Sequence, residues 1–140
     1  MINFNYEDTT WRFSLEEETR DWLTLVVSHY DFKVHEVNYV MCSDEYLLYL
    51  NKKYLGHDEY TDILTFDYTH DGATSLTADI FISVDRVKEN AAQFGSAFVD
   101  ELHRVMVHGV LHLTGQDDST EELKLEMRQM EDFALNLRMF

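Results

Sequence analysis

The chain has 140 residues, enough for one self-sufficient hydrophobic core and few for two ordinary domains. Hydrophobic residues make up 45% and charged residues 27%, which excludes disordered, collagen-like and low-complexity classes. The formal net charge of −16 excludes long-range attraction to a phosphate backbone or an anionic membrane, so any nucleic-acid role must rest on a local site. The lone Cys42 has no disulfide partner within the chain, and no stretch has the pattern of a leader or a membrane span. These features point to a reducing cytoplasm.

No proline is present, so glycines and capping residues mark the boundaries. Ile2 to Tyr6 alternates as a half-buried strand does. Ser14 with Glu17 three residues later has the form of a capping box, predicting a helix to about Tyr30 with Leu15, Trp22, Leu23, Val26 and Val27 on its apolar face. Val34 to Cys42 reads as a strand, and Ser43 caps a second helix ending near Leu55, before Gly56. Asp62 to Tyr68 and Thr77 to Ser83 read as strands, joined antiparallel through the Asp71-Gly72 turn. Ser83 caps a helix to Phe94, with Gly95 beyond it. Ala97 to Thr114 and Ser119 to Met139 are two further helices, broken at Gly115. With no clean βαβ repeat and no linker, the pattern predicts a single α+β domain over residues 1–140, a mixed sheet packed with about five helices.

The chemistry concentrates in the helix predicted over Ala97 to Thr114. His108 and His112 lie four residues apart, which puts both imidazoles on one helix face, one turn from each other. Gly115 can turn the chain back after the helix and bring Asp117 or Asp118 home as a third ligand. Two imidazoles and one carboxylate suit Zn²⁺ with a fourth position open, a metal site at the end of a helix. The alternative is that the histidines pack without a metal and Asp118 caps the last helix. Gly109 stands where the H-E-x-x-H pattern of zinc proteases carries its glutamate base, which disfavours peptidase chemistry.

The run His108-Gly109-Val110-Leu111-His112-Leu113-Thr114-Gly115-Gln116-Asp117-Asp118 resembles the H-G-x-L-H-L-x-G-x-D-H signature of the YbeY family of metal-dependent endoribonucleases. Leu50-Asn51-Lys52-Lys53-Tyr54-Leu55-Gly56, Thr61-Asp62-Ile63-Leu64-Thr65-Phe66 and Ala78-Asp79-Ile80-Phe81-Ile82-Ser83 resemble that family's L-N-x-x-Y-R-G, T-D-V-L-S-F and G-D-I-x-I-S stretches. Order and spacing agree over roughly residues 34 to 135. The resemblance implies a zinc-dependent single-strand endoribonuclease that matures ribosomal RNA, notably the small-subunit 3′ end, and serves ribosome quality control. It implies His108, His112 and Asp118 as metal ligands, with ribosomal RNA and small-subunit proteins as partners. Two positions depart from the pattern: Asp118 replaces a histidine and Leu55 replaces an arginine that would meet phosphate. The carboxylate should leave a Zn²⁺ centre less positive than three histidines would, and Mn²⁺ more competitive.

Other residues carry expectations of their own. Asp117 is a catalytic helper that orients a water or a ligand histidine, or else an exposed turn residue. Asp62, Thr65 and Asp79 match the family stretches and are assigned to substrate binding, against ordinary strand-edge roles. Lys52 and Lys53, the cations nearest the missing arginine, are assigned there too, with Arg86, Lys88 and Arg104 as a basic rim or else a solvated surface. His103 lies off the face of His108 and is excluded as a ligand. Phe66, Tyr68 and Phe81 are read as core. The competing functional class is a non-catalytic ribosome-assembly factor with a structural metal, which the acidic charge and Leu55 favour.

Overall fold

Alternation in Lys33–Cys42 (β2) sends Val37, Tyr39 and Met41 to one side of a sheet and Asn38 and Val40 to the other. The same alternation in Ser75–Ser83 (β4) buries Leu76, Ala78, Ile80 and Ile82 on that first side. The computed structural model, which describes residues 1–140, pairs these two strands in parallel at the centre of a four-stranded sheet. Ile2–Glu7 (β1) adds in parallel to the outer edge of β2, and Ile63–Asp67 (β3) adds antiparallel to β4. The sheet is mixed, as the pattern predicts.

Four helices lie on the first face: Glu16–His29 (α1), Val84–Phe94 (α3), Phe98–Leu113 (α4) and Glu121–Asn136 (α5). Asp44–Leu55 (α2) covers the other face through Leu47 and Leu50, which pack with Cys42 and Leu64. The centre of the first layer is α4, buried at ten of its sixteen positions. It sits close to the sheet because of Gly109: a Cβ there would lie 3.1 Å from the side-chain tips of both Ile63 and Ile80. The buried Tyr39 hydroxyl donates to the Met106 carbonyl at 2.7 Å and ties the same helix to β2. The residue after His108 is thus a packing residue, in a place where a protease would carry its base.

Three expectations change. The Ser14 capping box does not form; α1 begins at Glu16 with no side-chain cap. The Tyr6 hydroxyl donates to Glu16 at 2.5 Å and accepts from the Phe13 N–H at 3.0 Å, so a strand residue sets the helix entry. The final helix is capped by Thr120 and stops at Asn136, short of Met139. Tyr68 lies past the end of β3 and is exposed, whereas Phe66 and Phe81 meet edge to face at 5.7 Å and pack, half-buried, against the small core under α2.

Candidate metal centre

The helix that carries His108 and His112 ends in a turn with a defined hydrogen-bond pattern. Gln116 N–H donates to the Leu111 carbonyl at 3.1 Å and Gly115 N–H to that of His112 at 3.0 Å, a Schellman arrangement around Gly115 at φ 105°. A glycine is needed there because L side chains rarely adopt that φ. The reversal carries the chain back along the last helical turn and brings Asp118 over the two imidazoles.

Nε2 of His108 and Nε2 of His112 lie 2.9 Å apart, and one Asp118 carboxylate oxygen is 3.5 and 3.4 Å from them. The opposite ring nitrogens define the tautomers. His112 Nδ1 is 2.8 Å from the Gln116 carbonyl oxygen, which only accepts, so Nδ1 carries the proton. His108 Nδ1 is 2.6 Å from the Glu131 carboxylate and donates in the same way. Both Nε2 lone pairs therefore point into the same small space as a carboxylate oxygen. Three acceptors converge with no donor among them, an arrangement that a cation relieves.

The spacing fits a tetrahedral ion. Ligands at about 2.0–2.1 Å from such an ion stand roughly 3.3 Å from each other. His108, His112 and Asp118 are also the one group of three or more His, Cys, Asp or Glu side chains whose ligand atoms all lie within 4.8 Å of one another. Asp118 retains 37% side-chain exposure and His112 31%, so the centre faces solvent on one side and leaves room for a further ligand.

Glu131 is the residue that sequence reasoning missed. It is 5% exposed, receives the His108 proton donor on one oxygen and is paired on the other with Arg104 at 2.9 Å; Arg104 also reaches Asp132 at 2.6 Å. Burial works against a charged His108, but the Glu131 hydrogen bond and charge, with Asp118 and Asp62, outweigh it and raise the imidazole's basicity. The readable signal was its spacing: Met127, Glu131 and Ala134 form the buried stripe of α5, where an unpaired glutamate would be costly.

The remaining expected residues divide by sheet face. Asp62 directly precedes β3 and lines a cavity with His108 and Glu131; burial raises its pKa, with His108 opposing. Thr65 pairs with Ile80 and faces the α4 side. Asp79 points to the α2 side, where it accepts from Asn38 at 3.0 Å and lines a hollow with Tyr46, Phe66 and Tyr68. Lys52 and Lys53 lie in the last turn of α2, Lys52 paired with Asp58 and Lys53 against Tyr49 and Tyr54. The structure does not bring Lys52, Lys53 or Asp79 to the histidine pair. Asp117 turns onto its own loop, accepting from the N–H groups of Asp118 and Ser119 and from the Ser119 hydroxyl. The basic rim is also unformed, since Arg86 is paired with Asp44 and Arg104 with Glu131. His103 packs away from the centre, against Trp22 and Phe140.

Comparison with known proteins places nearly the whole chain in one family. The family model described as Endoribonuclease YbeY matches residues 1–138. The chain belongs to the YbeY family. It is 48% identical to Endoribonuclease YbeY of Cytophaga hutchinsonii, an alignment spanning 99% of this chain and 96% of that protein. It is 45% identical to Endoribonuclease YbeY of Bacteroides thetaiotaomicron, over 88% of each chain. The solution structure of a Thermotoga maritima protein superposes with a TM-score of 0.70 at 28% identity, covering 97% of this chain and 87% of that one. Within this YbeY fold, the end of α4 and the turn after it carry the cluster that could hold a metal ion, and no helix is long and apolar enough to cross a membrane.

Proposed function

We propose that this protein is a zinc-dependent endoribonuclease that cleaves single-stranded RNA, acting in the cytoplasm on ribosomal RNA, at the small-subunit 3′ end and in ribosome quality control. The observation that carries the reading is the convergence of two Nε2 lone pairs and one carboxylate oxygen on a solvent-facing point. A closed structural site would have four protein ligands; three with an exposed side is the pattern of a catalytic one.

His108, His112 and Asp118 would hold the ion, Zn²⁺ or, through the oxygen ligand, Mn²⁺. Bound there, it would act as a Lewis acid toward a phosphoryl oxygen. Glu131 fixes the tautomer and orientation of His108, and the Gln116 carbonyl does so for His112. Asp117 shapes the turn that presents Asp118. Asp62 and Thr65, on the α4 side of the sheet, are the substrate-side residues of the notable strand motif. An overall charge of −16 suits contact with basic small-subunit proteins more than with bare rRNA.

The test is the metal content of purified protein beside His112→Ala, coupled to cleavage of a labelled single-stranded rRNA 3′-end fragment with and without Zn²⁺ or Mn²⁺. Stoichiometric metal and cleavage, both lost in the variant, is the expected result. Metal binding without cleavage by the unmodified protein would instead make it an assembly factor with a structural ion. Product ends carrying a 2′,3′-cyclic phosphate would identify the RNA 2′-hydroxyl as the nucleophile.

A further inference from the structure

Beside His108, between α3, α4, α5 and the start of β3, is a cavity of about 260 Å³. That is below the roughly 300–1,000 Å³ of pockets that take drug-sized ligands, and it suits a single ring system. Its lining is unusual in one respect. Glu101 is only 7% exposed, no hydrogen-bond donor or ion pair within the protein engages its carboxylate, and its oxygens open onto the cavity. A largely buried carboxylate whose oxygens meet only the cavity is free to accept from a donor that enters it. Burial raises its pKa, with Arg104 opposing.

Glu101 stands seven residues before His108 on the same face of α4, about 10 Å along the helix axis. The other polar groups narrow what the cavity can accept. Asp62 and Glu131 are also carboxylates, and Arg104 is already held by Glu131 and Asp132, so a phosphate is repelled from the interior. No second group of three metal-ligating side chains forms here. At the rim, Phe94 is 66% exposed and offers a flat apolar face. Arg128 lines the mouth and is the one arginine of the chain without an ion pair or side-chain hydrogen bond. An apolar ring, interior acceptors and a free cation at the entrance match a base and its phosphate.

We propose that this cavity is a nucleobase subsite next to the metal ligands, in which Glu101 accepts from the N1–H and N2–H of a guanine stacked on Phe94, while Arg128 meets that nucleotide's phosphate. An ionised carboxylate is acceptor-only and pairs best with two adjacent donors. Guanine supplies them along one edge. Uracil has a single N–H between two carbonyl oxygens, and adenine and cytosine place a ring acceptor beside their amino group. The subsite rests on the RNA-cleaving reading for its purpose.

The test uses mononucleotides, which the enzyme cannot cut. Full-length, zinc-loaded protein at about pH 8, where Glu101 is ionised, is titrated with guanosine and uridine 5′-monophosphates and followed by backbone amide correlation spectra. The expected result is perturbation at Asn90, Phe94 and Glu101, with guanosine monophosphate binding about tenfold more tightly than uridine monophosphate. Glu101→Gln should abolish the preference while leaving the thermal midpoint unchanged, because the carboxylate makes no hydrogen bond or ion pair within the fold. Arg128→Ala should weaken both nucleotides alike. No perturbation of the cavity, or a guanine preference that survives Glu101→Gln, overturns the proposal. Running RNA cleavage in parallel separates the two readings: cleavage without nucleotide binding overturns the subsite alone, guanine binding without cleavage overturns the nuclease alone, and neither overturns both.

Discussion

Glu131 accepts the Nδ1 proton of His108 at 2.6 Å across the interface between α5 and α4. A carboxylate in this position holds the ring in the tautomer that leaves Nε2 free and makes that nitrogen a better donor to a metal. Glu131→Gln keeps the shape but loses the charge, and its amide can present an N–H to the histidine, reversing the tautomer. Metal affinity should fall by about 10–100-fold, the range seen when such outer partners are changed. Competition with a calibrated chelator measures it; an unchanged dissociation constant would reduce Glu131 to an α4–α5 strut.

The centre should also act on stability. Three converging acceptors repel one another until a cation joins them, so metal binds the folded chain and not the unfolded one. Free Zn²⁺ at a hundred times its dissociation constant should add about 2.7 kcal/mol. Thermal scans with Zn²⁺ and with excess chelator should therefore differ by several degrees, and Asp118→Ala or His112→Ala should remove that difference. Asp118→His should keep it, since an imidazole restores a ligand at the same place.

The parts of this centre that lay within one stretch of chain were legible. The four-residue spacing of His108 and His112, the reversal at Gly115 and the return of Asp118 are local consequences of helix geometry and of one glycine. Glu131 was not legible in that way, because its partner lies 23 residues away and an acidic residue in a helix reads first as solvated. Asp79 shows the opposite failure. Its motif match is good, but side chains alternate along β4, and the residues either side of it, Ala78 and Ile80, take the α4 face. A motif reports adjacency in sequence; the pleat decides which residues reach the site. The same limit applies to Lys52 and Lys53, whose helix covers the far face.

Acid stability should depend on His103. Its Nδ1 accepts from Arg138 at 2.8 Å and its other nitrogen is buried without a partner. Burial, then the Arg138 charge, lowers its pKa to about 4 from an ordinary 6.5, against the opposing charge of Asp100. As pH falls through 6.5 the unfolded chain takes up this proton, whereas the folded chain does not until about 4. The contribution is therefore complete above the upper value and lost progressively down to the lower, by at most about 3 kcal/mol. Urea-unfolding midpoints at about pH 7 and about pH 5 should converge in His103→Phe relative to the unmodified protein. An equal drop in both would place the acid sensitivity among the carboxylates.

Asp117 offers the last separation, between a residue that shapes the site and one that takes part in the reaction. Its carboxylate caps the N–H groups of Asp118 and Ser119 and accepts from the Ser119 hydroxyl, which lowers its pKa. An asparagine can form the same turn with its side-chain carbonyl, but it has no charge and is not a base. Asp117→Asn should therefore retain metal affinity and most of the cleavage rate. Asp117→Ala releases the turn, lets Asp118 drift from the two imidazoles and should weaken metal binding, with cleavage restored by excess metal. Chelator competition and single-turnover cleavage distinguish the outcomes. If Asp117→Asn binds metal normally and cleaves a hundredfold or more slowly, in the range of a lost acid–base catalyst, then the carboxylate itself enters the chemistry and its place in the turn is secondary.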